Sequence, residues 1–164
     1  APEHPLQTAV FDAIAEFAGE DVAHVAVDGC GAPLVAISLA GLARAFGRIA
    51  AAEDGPARQI ADAYRAHPTW ASGTRRGEAK LHGAVPGLVC KGGAEAVYAA
   101  GLPDGRGIAV KIDDGASRAH QLIVAQILVE MGYEHPNVTG RTTKNVLGHG
   151  KPVGTISSLV DSFL

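Results

Sequence analysis

The sequence predicts an α+β fold in which helices pack on an antiparallel sheet. Three observations carry that prediction. The segments run as helices, then strands, then a helix, without the alternation that parallel βαβ units require. The stretch Gly87 to Gly115 reads as three short strands, the last two joined by Pro103-Asp104-Gly105-Arg106-Gly107. Pro fixes φ and Gly accepts positive φ, so this pentapeptide reverses the chain. Directly afterwards, Ser117 to Met131 is apolar except for a narrow stripe of Gln121, Gln126 and Glu130. A helix so apolar has to be buried, and the sheet just formed is the simplest surface for it.

Taken in order, Leu6 to Ala18 places Leu6, Val10, Ile14 and Phe17 at helical spacing, and Gly19 ends the helix. Val22 to Val27 alternates as a small strand and runs into Asp28-Gly29-Cys30-Gly31, a tight turn whose glycines leave the thiol unhindered. Leu34 to Ser38 is short and extended. Leu39 to Ala52 is a strong helix with Leu42, Phe46 and Ile49 on one face and Arg44 and Arg48 on another. Glu53-Asp54-Gly55-Pro56 breaks it, and Pro56 suits the first turn of a helix over Ala57 to Ala66. His67 to Gly77 reads as polar and irregular, and a further helix occupies Glu78 to Ala84. The strands are expected over Leu88–Lys91, Ala94–Leu102 and Ile108–Ile112. After Gly132 the chain is looser, with Val153 to Ile156 as a single edge strand.

The 164 residues fit one domain with room for a core. Apolar residues make up 47% and aromatics 5%, a balance that favours close packing of small side chains. The formal charge is -3 with no block of like charges, so nucleic acid and anionic membrane are poor partners. No apolar run reaches the roughly 18 residues a membrane span needs. Two cysteines fit a reducing, cytoplasmic setting better than a disulfide scaffold. The opening APEHPLQ lacks Met and shows no export signal, and the chain is expected to be a piece of something longer.

Few residues stand out chemically. Lys91 ends a strand and precedes Gly92 and Gly93. A lysine against an apolar wall can lose its charge and act as a base, or keep it and hold an anion. The two glycines would let a substrate approach the backbone closely. Read blandly, Lys91 is a surface lysine beside a turn. Cys30 offers a thiolate of the kind that binds zinc, and Asp28 an adjacent carboxylate that suits a supporting partner behind the metal or a contact to a substrate amine. The usual zinc grammar is missing: there is no Cys-x-x-Cys, and the seven histidines are scattered. Cys90 alternates to the face opposite Lys91 and reads as core. Asp113-Asp114, with Ser117, read as a helix cap. GxxxxGK[ST], Ser-x-x-Lys and G-x-S-x-G are all absent.

Three stretches together resemble the L-asparaginase II family, the Rhizobium etli-type asparaginases: His24 to Ala50, Cys90 to Gly107, and Ile108 to Ala119. Their most specific parts are VDGCG and KGGAE, and the opening PEHPLQ is similar to the linker between the family's halves. The resemblance implies a serine β-lactamase/glutaminase-like fold and hydrolysis of L-asparagine to L-aspartate and ammonia. It implies catalysis by serine-lysine pairs, with Lys91 at the position of the K-x-G lysine, activating a serine and moving a proton. It further implies a zinc ion beside the substrate, with Cys30 as a ligand and Asp28 near metal and substrate. Gly92 and Gly93 then line the substrate site. The serine nucleophiles and a Cys-x-x-Lys that completes the zinc site belong, in the family, to an N-terminal half.

The chain is therefore expected to be the C-terminal half of an asparaginase, inactive alone and with an incomplete zinc site. The face that would meet the other half is expected to be open and to favour self-association, with a homodimer as the outcome. Two alternatives stand beside this reading. One is a non-catalytic remnant acting as a ligand- or partner-binding module. The other is a hydrolase of the wider penicillin-recognising class acting on another amide.

Overall fold

The computed structural model describes residues 1–159 together with 162 and 163. The chain opens on helix α1, Pro5–Ala18, with Pro in its first turn and the His4 ring accepting the Leu6 N–H at 3.2 Å. A hairpin of β1, His24–Val27, and β2, Pro33–Ala36, follows, and α2, Leu39–Ala51, returns beside α1. Ser38 caps α2 by accepting the Gly41 N–H at 2.9 Å, and its own hydroxyl donates to Glu20 at 2.8 Å. The two α2 arginines stitch the helices together. Arg44 donates to the Ala18 carbonyl, and Arg48 donates to Glu16 O at 2.6 Å and Phe17 O at 3.1 Å. At the end of α1 the Glu16 carbonyl also accepts the Gly19 N–H at 3.2 Å, and the guanidinium groups supply the further hydrogen bonds and the charge the helix dipole favours there.

Helices α3, Gly55–Ala66, α4, Pro68–Ser72, and α5, Gly77–Ala84, lead into the central sheet. That sheet has three antiparallel strands: β3, Val89–Gly92, β4, Val97–Gly101, and β5, Gly107–Lys111, in the order β3-β4-β5. Its two faces follow from the period of two along each strand. Cys90, Tyr98, Ala100, Ile108 and Val110 face one side and join Leu81, Val124 and Leu128 in the main core. Leu81 belongs to α5, and the other two to α6, His120–Glu130, which lies across the sheet as its apolar sequence demands. Val89 faces the other side, against Ala50 and Ala61. A short helix α7, Pro136–Thr139, and a hairpin of β6, Thr143–Gly148, and β7, Lys151–Ser157, complete the described chain. The architecture is mixed helix and antiparallel sheet, the α+β class the sequence predicts.

The α2 interface departs from expectation. The buried residues of α2 are Gly41, Ala45, Gly47 and Ala50, and the expected face of Leu42, Phe46 and Ile49 is only half-buried. The reason is close backbone approach. A Cβ built on Gly101 would overlap the carbonyl oxygen of Phe46, and one on Gly107 that of Ala43. The small residues thus meet the sheet, and the large ones flank the contact. They line an open apolar groove of about 1170 Å³ with residues of α1 and β2, among them Ile14, Phe17 and Leu34.

Other differences have local causes. The expected strand over Ala94–Leu102 starts only at Val97, because Ala94–Ala96 forms a 3₁₀ turn with Glu95 at φ 54 and Ala96 at φ 53. The irregular stretch after Ala66 contains α4. Helix α6 begins at His120 rather than Ser117, and its N-cap is Ala119 without a side-chain bond. Asp114 serves the preceding loop instead, accepting the Ala116 N–H at 2.9 Å and pairing with Arg118. Where one edge strand was expected in the tail, two strands form. His149 and Gly150 both adopt positive φ, 47 and 77, the geometry of a tight hairpin turn. Strand β1 is exposed along its whole length. Among the described residues, no helix is long and apolar enough to cross a membrane.

Candidate active site

Lys91 stands on β3, an edge strand, half-buried, opposite Ala99 of β4. Its amine donates to the carbonyl of Gly92 at 2.8 Å. The lysine nitrogen therefore sits at the open border of the sheet, beside a backbone with no strand on its outer side among the described residues. The backbone behind it is strained. Glu95 and Ala96 occupy the left-handed region in succession, Ala96 while fully packed, a conformation that costs about 1–3 kcal/mol per residue and persists only where the surroundings enforce it.

Beneath the strand lies a buried polar cluster that the sequence reading missed. Glu78 at the start of α5 is 2% exposed, and its carboxylate accepts from Gln121 Nε2 of α6 at 3.2 Å. A Cβ on Gly92 would stand 2.7 Å from Glu78 Oε1, so any side chain after Lys91 would have to push this carboxylate aside. His82, one turn on, approaches the Glu78 carbonyl through Nδ1 at 2.8 Å and accepts the Cys90 N–H through Nε2 at 3.3 Å. Tyr98 donates its hydroxyl to Cys90 Sγ at 3.4 Å, and its ring lies 5.6 Å from that of His120. The signal available in sequence was slight: a Glu directly after a glycine at a helix start, and Gln121 within the one polar stripe of α6.

Cys90 is core, as its alternation indicates. Burial pushes its thiol up to about 12, with the Tyr98 hydrogen bond opposing the rise, so it stays protonated near neutral pH. Cys30 is exposed. An aromatic disulfide reagent is expected to label one thiol of the native chain quickly and the second only on unfolding. Two thiols reacting at one rate in the native state would refute the assignment of Cys90 to the core.

Cys30 sits at the tip of the β1–β2 hairpin, in the turn Asp28–Gly31. Its thiol donates to Asp28 Oδ2 at 3.1 Å. That bond, followed by the N–H groups of Gly29 and Cys30, lowers the Asp28 carboxyl below its usual range. The pair is a self-contained turn with two donors for a metal. Among the described residues, no three His, Cys, Asp or Glu side chains gather into a metal cage. A tetrahedral zinc needs four ligands, so the donors around Cys30 do not by themselves fit one. The turn and Lys91 belong to different sheets, and no hydrogen bond or ion pair among the described residues joins them. Of the residues expected at the site, the fold brings Lys91, Gly92 and Gly93 together, and it places Asp28 and Cys30 on a separate hairpin.

Comparison with known proteins adds one positive finding. The family model described as L-asparaginase II matches residues 1–158. None of the curated proteins matches the chain.

Proposed function

The chain belongs to the L-asparaginase II family, and on that footing we propose that it supplies the lysine side of an active site hydrolysing L-asparagine to L-aspartate and ammonia. The observation that carries the reading is the position of Lys91, on the open edge of β3, ahead of two glycines and a strained turn. Lys91 takes the proton from a serine hydroxyl, the serine oxygen attacks the side-chain amide carbon, and the proton passes to the departing ammonia. Water then hydrolyses the acyl intermediate to aspartate. The outward backbone of Gly92, with Gly93 next to it, lines the place where substrate lies.

The serine, and the ligands that complete a zinc site with Cys30, come in this reading from an N-terminal part of the enzyme, while Asp28 stands near metal and substrate. Cys30 would be one ligand of such a zinc ion, which would supply polarisation or orientation of the substrate. The other part packs on the open groove between α1, β2 and α2, whose rim exposes Val10, Leu34, Leu39 and Ile60. The assembled fold is then of the serine β-lactamase type, homodimeric and cytoplasmic. The same groove is what favours the second reading, a module that binds a ligand or partner without catalysis.

Ammonia release from L-asparagine separates these readings. The chain alone, with or without zinc, is expected to release none, and co-expression with the serine-bearing part is expected to restore release. Release by the chain alone, removed by Lys91→Ala, would overturn the shared site and direct attention to Ser38, Ser72 and Thr74. No release in either form would favour the binding module.

A further inference from the structure

In an antiparallel pair, residues alternate between exchanging both backbone bonds with the partner strand and turning them outward. Along β3 the outward residues are Cys90 and Gly92, because the Cys90 N–H meets His82 and the Gly92 carbonyl meets the Lys91 amine. These two contacts are successive rungs on the same open edge. No other hydrogen bond of the outward backbone groups is found among the described residues, and the Cys90 thiol adds only long contacts to the Glu78 carbonyl at 4.0 Å and to His82 Nδ1 at 3.6 Å.

We propose that His82 positions Lys91: as a neutral imidazole with its proton on Nδ1, it ties α5 to the outer edge of β3 and so fixes where the lysine amine stands. The inference rests on the reading of Lys91 as the reactive amine. The tautomer follows from the geometry. Nδ1 faces a carbonyl oxygen at 2.8 Å and must donate, whereas Nε2 faces an N–H at 3.3 Å and must accept. Protonating Nε2 would set two donors against each other and release the strand.

Acid is therefore the trigger. Around the ring stand Glu78 on its own helix, Cys90 on β3, Tyr98 behind that thiol on β4, and Tyr64 of α3 at 5.9 Å. Burial lowers the His82 pKa below its ordinary 6.5, against the opposing pull of the Glu78 carbonyl and carboxylate. The folded state thus binds its proton less readily than the unfolded chain. The contribution of the neutral ring is complete above 6.5 and is lost as pH falls through the lowered value.

The test is nuclear magnetic resonance of this chain across that range, with ¹⁵N shifts of the His82 ring and amide exchange at Cys90. The expected result is an Nδ1–H tautomer, with the Cys90 amide shift following the His82 titration. In His82→Gln, whose side-chain oxygen can still accept, the amide should stay protected and lose its pH dependence. In His82→Leu it should exchange roughly tenfold faster, the size of one lost hydrogen bond. An Nε2–H tautomer, or a Cys90 amide indifferent to the titration, overturns the proposal. The outcome is separable from the reading it rests on: Lys91→Ala that leaves asparagine hydrolysis intact refutes the role of Lys91, whatever the Cys90 amide does.

Discussion

Lys91→Ala is expected to lower asparagine hydrolysis in the assembled enzyme by a factor on the order of 10²–10⁴, the usual loss when a positioned proton-transfer group is removed. The backbone should barely notice, since the amine donates to the carbonyl of its own neighbour, Gly92. Lys91→Arg makes the test specific. Arginine keeps a positive charge at every accessible pH and cannot act as a base. If Lys91 moves protons, the arginine variant falls as far as the alanine one. If the lysine holds the substrate's carboxylate by charge, arginine retains most of the rate, and the proton-transfer role is wrong. Ammonia release measured with saturating asparagine, and with folded state checked by circular dichroism, distinguishes the two.

Gly107→Val, and to a smaller degree Gly107→Ala, is expected to unfold or severely destabilise the chain. Any Cβ at Gly107 meets the Ala43 carbonyl, and Gly101 stands in the same relation to Phe46. Neither obstacle is a side chain that can swing aside, so α2 must lift off the sheet or β5 must bend. Overpacking commonly costs about 1–3 kcal/mol, and a rigid backbone obstacle places this case at about 3 kcal/mol or beyond. Chemical denaturation gives the difference directly. A midpoint for Gly107→Ala equal to that of the parent would show that α2 does not rest on this glycine.

Much of the fold was legible because local chemistry and tertiary packing agreed. Pro103-Asp104-Gly105 could only turn, and α6 was too apolar to lie anywhere but across the sheet. The α2 face was misjudged because apolar spacing measures side chains, whereas the contact is made through glycine backbone. Glu95 and Ala96 carry no mark of left-handed geometry, so the strand seemed to begin three residues early. The site divides in the same way. Lys91 followed by two glycines is visible as a string, but Glu78, His82 and Gln121 gather beside it only after α5 and α6 have folded together onto the sheet. A carboxylate that buries itself under a glycine leaves no spacing rule to find.

The seat of α2 has a dynamic consequence. A contact made of carbonyls and glycines contains no rotamers, so its formation freezes no side-chain freedom, and it offers no alternative packing into which it can relax. Such a joint has one register, and sliding or rolling would bring the same atoms into collision. Helix and strands must therefore travel as one body. Whatever docks along the groove wall formed by α2 pushes on β4 and β5 without slack, and through β4 on the strand that carries Lys91.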